Sequence, residues 1–231
     1  MTELLLAAAG GLAREVMAAV RDGSRYDILG LVDDDPALIG TVLDGAHILG
    51  RLEDVRDYPS VHLVVCAGKG TVRADIVRRL GGLGVAQNRY ATIIHPSVTV
   101  PEGCLVGQGS ILLANVVMTA AVQIGSHVVA MPQVTFTHGD VVEDFATFAA
   151  GATLGGSVTV ARAAYVGMNC SIRQNVRIGA QATVGMGAAV VADVPDGQTW
   201  VGVPARQIPP PPPRQAPAPE EAAEQAREGE R

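Results

Sequence analysis

Aromatic rings are what this sequence has least of. Three Phe, four Tyr and one Trp make up 3% of 231 residues, although 48% of the chain is hydrophobic. A soluble core draws much of its buried area from rings. This one must be packed from Val, Ile, Leu and Ala, which favours a regular, repetitive architecture. Basic charge is short as well: the net charge is −6 and the pI near 5.3. No basic stripe exists to neutralise phosphates, which excludes nucleic acid and anionic membrane as partners. Three cysteines are an odd number for a disulfide framework and fit a reducing compartment. Long apolar runs are missing too. Leu4 to Ala13 is short, ends at Arg14-Glu15 and follows no basic segment, so it reads as neither a signal peptide nor a membrane span. A soluble, cytoplasmic protein is expected.

What is present divides into three regions, expected as domains 1–92, 93–208 and 209–231. From Pro209 the chain reads PPPPPRQAPAPEEAAEQAREGER. It holds nothing apolar larger than Ala, so it cannot offset its ordering entropy and is expected to be a disordered tail. Residues 1–92 alternate strand and helix signals. Leu4–Ala7, Ile28–Val32 and Val61–Cys66 read as buried parallel strands; Arg14–Val20 and Val72–Leu80 have helical spacing. That order predicts an α/β domain, Rossmann-like (βαβαβ), with a parallel sheet. Ligands of such sheets bind at the carboxyl ends of strands. Here those ends carry Ala8-Ala9-Gly10-Gly11, Asp33-Asp34-Asp35-Pro36 and Ala67-Gly68-Lys69-Gly70. The first is not a full GxGxxG turn. Asp33 is a candidate for a ribose hydroxyl, or else a solvated acidic turn.

The middle region repeats every six residues. Val98, Cys104, Ser110, Val116 and their successors to Ala188 are small, with Asp140 the exception. The residues two further on, from Val100 and Val106 to Val190, are all apolar. About sixteen hexads keep phase, which marks the hexapeptide repeat of a parallel β-helix. Three hexads close one triangular coil, and stacked coils bury an aliphatic column. Gly107, Gly125, Gly155, Gly167, Gly179 and Gly185 are read as corners that need positive φ. Cys104 and Cys170 fall inward and are read as packed thiols.

A β-helix is only a scaffold, so function must come from a site on it. His47 and His62 fall in the first region, and His95 has a structural place at the junction. His127 sits at a corner with no acidic neighbour. His138 differs, because it is a corner residue in Phe136-Thr137-His138-Gly139-Asp140. Asp140 breaks the inward series. Buried, it needs a partner, or the corner must bulge to turn it outward. A carboxylate bonded to one imidazole nitrogen fixes the tautomer and leaves the other a better base. His138 and Asp140 are therefore the candidate catalytic pair. His127 and His138 occupy different hexad positions without a third ligand, so no metal is expected.

Together these features resemble the sialic acid O-acetyltransferase and bacillosamine N-acetyltransferase family. The resemblance rests on GGLAREV (10–16), Asp33-Asp34-Asp35-Pro36, Ile94-His95-Pro96-Ser97, the corner His138 and the closing segment from Trp200 to Arg206. It covers residues 4–208. It implies a left-handed β-helix and a homotrimer, with acetyl-CoA lying between adjacent β-helices. It also implies a sugar acceptor, nucleotide-linked or sialic acid, with His138 as general base and no covalent intermediate. Cofactor contacts fall by position on Thr147, Gly156, Gly167, Met168, Gly185 and Met186. Sugar-nucleotide contacts fall on Ala9, Gly10, Gly11, Asp33, Asp34, Gly68 and Lys69. Leu12 and Thr147 stand where the family has His, Met131 where it has Asn, and Gly139 where an acidic residue is common. The other reading is a non-catalytic sugar-nucleotide-binding or scaffold protein that has kept the fold, which titration with acetyl-CoA distinguishes.

Overall fold

The computed structural model describes residues 2–23 and 25–209. The expected tail lies, beyond Pro209, outside the described residues. Strand β1 (Thr2–Ala7) is followed by helix α1 (Gly11–Arg21), β2 (Tyr26–Val32), β3 (Val42–Leu43), β4 (Ala46–Gly50), β5 (His62–Val65) and helix α2 (Gly70–Gly82). The sheet order is β3-β4-β2-β1-β5, with β4, β2, β1 and β5 parallel. Leu4, Leu5, Leu6 and Ala7 are fully buried, because helices and loops cover both faces of a parallel sheet. The chain passes from β2 to β5 through the β3–β4 hairpin and a 3₁₀ turn at Leu52–Asp57, where the βαβαβ reading expected a helix. No helix among the described residues is long and apolar enough to cross a membrane.

Strand β6 (Ile93–Ile94) pairs with Ile111–Leu112 and begins the left-handed β-helix. Fifteen two-residue strands follow, from Leu105–Val106 to Ala189–Val190. Each pairs in parallel with the strand eighteen residues away, as Gln123 does with Leu105 and Val141. Three hexads therefore make one coil. The inward residues form one buried column from Cys104 to Val194. Burial pushes the Cys170 thiol up to about 12, which leaves it inert. The first hexad is the exception: Val100 is 37% exposed, because no strand forms there.

The corners correct the reading of the glycines. Positive φ recurs at every sixth residue from Gly103 to Gly187, and ten of these residues are not glycine, including Asn115, His127 and Phe145. None of Gly107, Gly125, Gly155, Gly167, Gly179 and Gly185 is among them. They answer a different demand. A Cβ on Gly107 would lie 2.5 Å from the Gly125 carbonyl, and one on Gly167 2.6 Å from Gly185 C and Met186 N. These glycines let the backbones of successive coils approach each other.

Candidate active site

The carboxyl ends of β2, β1 and β5 lie side by side, so Ala9, Gly10, Gly11, Asp33, Asp34, Gly68 and Lys69 gather at one sheet edge. Ala8 has φ 77° and turns the chain out of β1. The Ala9 N–H then donates to Asp33 Oδ2 (2.7 Å), and the Asp35 N–H donates to Oδ1 (2.9 Å). Asp33 thus joins two loops, with lone pairs left over for a ligand. Asp34 is taken: it accepts from Arg79 Nη1 at 2.6 Å and from the Leu52 N–H at 3.3 Å. The Arg79 guanidinium holds its carboxyl below the usual range. Gly10, Gly11 and Gly68 face open space, since a Cβ on any of them would meet nothing within 4 Å. Lys69, the only lysine in the chain, is exposed at the start of α2.

Behind this edge the two folds are welded together. Gly70 presses on the corner at Phe145, where any Cβ would collide with the Phe145 carbonyl. One turn further on, Arg73 is fully buried and donates to carbonyls of both folds, among them His127 O at 2.7 Å and Phe145 O at 2.8 Å. The His127 ring stacks on Phe145 (5.1 Å, 8° between planes) and meets the Tyr90 ring edge-on at 4.6 Å. Neither ring nitrogen of His127 has a partner among the described residues, and burial lowers its pKa to about 4. Sequence reasoning missed Arg73. The available signal was helical spacing, which puts Arg73 on the buried face of α2 with Gly70 and Leu80.

A groove of about 470 Å³ runs along the junction, lined by Gly11, Leu12, Glu15, Met131, Thr147, Met168 and neighbours. Thr147 is buried, with its hydroxyl donating to Gly68 O at 2.9 Å. The expected cofactor contact is thus a fixed part of the groove wall. Met168 and Met186 are 49% and 81% exposed and stand one coil apart on one edge of the prism. Gly167 and Gly185 sit beside them, packed coil on coil.

His138 stands on a different edge, at the Gly139 corner, while the groove ends at the corners of Gln133, Gly151 and Asn169. Its exposed ring makes no hydrogen bond among the described residues and lies on Gly156; a Cβ there would run into Cε1 and Nε2. Gly156 therefore serves the histidine's edge, apart from Gly167, Met168, Gly185 and Met186. Asp140 does not bond His138, which corrects the expected pairing. It stays fully buried and accepts the N–H of Thr137 (2.8 Å) and of Val158 (2.9 Å). Its carboxylate holds the corner that presents His138, and burial pushes its pKa up to about 6. Ser110 does the same one coil and two corners away, accepting the Val128 N–H at 2.9 Å.

His95, Ser97 and Asp22 lie in hydrogen-bonding sequence: Nε2 to Asp22 Oδ2 at 2.9 Å and Nδ1 to Ser97 Oγ at 2.8 Å. Nδ1 also accepts the Ser97 N–H, and Ser97 Oγ accepts the Asn115 N–H. These groups pin α1 to the start of the β-helix. Among the described residues no three His, Cys, Asp or Glu are grouped to hold a metal ion.

Residues 3–80 match the family of PglD N-terminal domains. The chain is similar to the acetyltransferase domain of PglB from Neisseria gonorrhoeae, solved in complex with acetyl coenzyme A. Identity is 27% and TM-score 0.81, over 89% of this chain and 98% of that one. It is similar to PerB from Caulobacter crescentus, solved with CoA and GDP-perosamine, at 26% identity and TM-score 0.82 over 90% and 98% of the two chains. WeeI from Acinetobacter baumannii is 28% identical, with TM-score 0.78 over 90% of this chain and 100% of that one.

Proposed function

We propose that this hexapeptide-repeat acetyltransferase, similar to PglB and PerB, moves an acyl group, acetyl first of all, from coenzyme A to the amine of a nucleotide-linked sugar. Relatives solved with acetyl-CoA and with GDP-perosamine support both substrates. The observation that carries the reading is the exposed His138 ring, which lies against Gly156 with no hydrogen-bond partner among the described residues. The amine nitrogen attacks the thioester carbonyl, and His138 accepts the proton that the nitrogen sheds. The C–S bond then breaks, the acyl group stays on nitrogen, and the proton passes from His138 to the thiolate of CoA. No acyl-enzyme is needed. Asp140 acts as a positioning residue through the corner.

Gly167, Met168, Gly185 and Met186 are assigned to the pantetheine arm; Thr147, expected there too, is assigned to the groove wall beside Gly68, and Gly156 to the seat of the His138 ring. Ala9, Gly10, Gly11, Asp33, Asp34, Gly68 and Lys69 are assigned to the sugar nucleotide. His138 and the groove occupy different edges of one prism, so a complete site needs the imidazole of a second copy. Three copies side by side, a homotrimer, close that arrangement. The test is His138→Ala, which should fold and bind acetyl-CoA while transfer falls about 10²–10⁴-fold. Undiminished turnover would overturn the role of His138, and a monomer by light scattering would overturn the shared site.

A further inference from the structure

One buried residue connects the two walls of the groove. The Arg73 guanidinium donates to Ala67 O (2.6 Å) and Gly68 O (3.2 Å) in its own loop. It also donates to His127 O, Phe145 O and Ala146 O (3.0 Å) on the β-helix, and to Thr147 Oγ1 at 3.0 Å. Thr147 Oγ1 in turn donates to Gly68 O. Gly68 and Thr147 both line the groove, one from each fold. Among the described residues no carboxylate partners Arg73, and burial pulls its pKa down to about 10.

A guanidinium spreads five N–H donors over a rigid fork, whereas an ammonium is a point with three. Only the fork spans carbonyls on one loop and two corners at once. The segment it holds, Ala67-Gly68-Lys69-Gly70, has little side chain with which to hold itself, and its glycines gain the most entropy when released. If the residue only filled space, an apolar side chain of similar volume would serve as well. Its bonds go instead to the carbonyls just ahead of Lys69.

We infer that Arg73 is a positioning residue that clamps the Gly68–Lys69 loop to Thr147, fixing the width of the groove and the place of Lys69 for the acceptor's nucleotide. This rests on the reading that the loop holds a nucleotide-linked sugar. It predicts a selective defect, in which nucleotide binding suffers and acyl-CoA binding on the Met168–Met186 edge does not.

The test uses the full chain with Arg73→Lys and, as a milder second variant, Thr147→Val. Hydrogen exchange of the loop amides is followed, together with calorimetric affinities for UDP, GDP and acetyl-CoA. Loop exchange should accelerate about tenfold and nucleoside diphosphate affinity fall about tenfold in Arg73→Lys, with a smaller effect in Thr147→Val. Acetyl-CoA affinity and exchange in the β-helix column should stay at the parent's level. Parent-like loop exchange in both variants overturns the inference. So does a uniform loss of protection accompanied by weaker acetyl-CoA binding, which would reduce Arg73 to a stabilising residue. If the parent binds neither nucleoside diphosphate, the nucleotide-sugar reading fails, and loop exchange alone still decides the clamp. If Arg73→Lys does not fold, Thr147→Val carries both measurements.

Discussion

Acid should pull on this protein in two opposite directions, and two substitutions separate them. His127 is 2% exposed and stays neutral in the native state, its pKa lowered to about 4 by burial. The unfolded chain takes up a proton near the ordinary value of 6.5 and the native state refuses it. The resulting stability is complete above pH 6.5 and is lost as pH falls towards 4. Linkage at 1.36 kcal/mol per decade makes the loss roughly 2.5 kcal/mol by pH 4.5. Asp140 has the opposite sign. Its pKa is raised to about 6, so the native state is protonated before the unfolded chain and gains roughly 2 kcal/mol over the same window. The parent's net dependence on these two groups is nearly flat. His127→Phe keeps the stacked ring and removes the loss, so the variant should gain on the parent by roughly 2.5 kcal/mol between pH 7 and 4.5. Asp140→Asn should lose ground by roughly 2 kcal/mol over the same interval. Urea unfolding at fixed protein concentration reads both, and the variant-minus-parent difference cancels the exposed carboxylates. If the His127→Phe difference were independent of pH, the buried neutral imidazole would not be the acid-labile group.

Two further outcomes follow from glycines that the fold uses for close approach. Gly156→Ala pushes a methyl group into the His138 ring, so transfer should fall about 10²-fold or more through misplacement of the base, while acetyl-CoA affinity is retained; steady-state kinetics with calorimetry checks this. Gly107→Ala sets a Cβ 2.5 Å from the Gly125 carbonyl, backbone against backbone, and should cost about 1–3 kcal/mol in urea unfolding, with the chemistry untouched.

The scarcity of rings and the six-residue phase were enough to expect the β-helix, because a narrow coil admits small aliphatic residues and repeats its geometry without regard to what lies far off in sequence. Phe136 and Phe148 fit the column by packing edge to face at 4.9 Å. The same locality hid what depends on neighbouring coils. A repeat read along the chain shows where glycine recurs, but the backbone it must clear lies eighteen residues away. That is why Gly107 and Gly167 looked like corners, while Asn115 and His127 took the positive φ. Asp140 misled for the same reason: its partners are the N–H of Thr137 and an N–H one coil on, and only the first is near in sequence. Arg73 was hidden by its type, since arginine on a helix reads as solvated until the carbonyls of another fold are seen around it.

The departures from the family pattern gain most from the three-dimensional view. Leu12, Met131 and Thr147 are scattered along the chain, yet all three line the one groove, with Gly68 and Glu15 beside them. Three of the departures thus share one wall, and the Thr147 hydroxyl there is turned to Gly68 and Arg73. Gly139, the fourth departure, lies on the other edge with His138, where the corner is held by Asp140 through the backbone. Three of the four departures therefore fall on the groove wall, and only Gly139 falls on the edge that bears His138. On the proposed function, substitutions at Leu12, Met131 or Thr147 should change which acceptor is used, whereas His138→Ala should lower transfer to every acceptor; assays of a panel of nucleotide-linked amino sugars with acetyl-CoA check this.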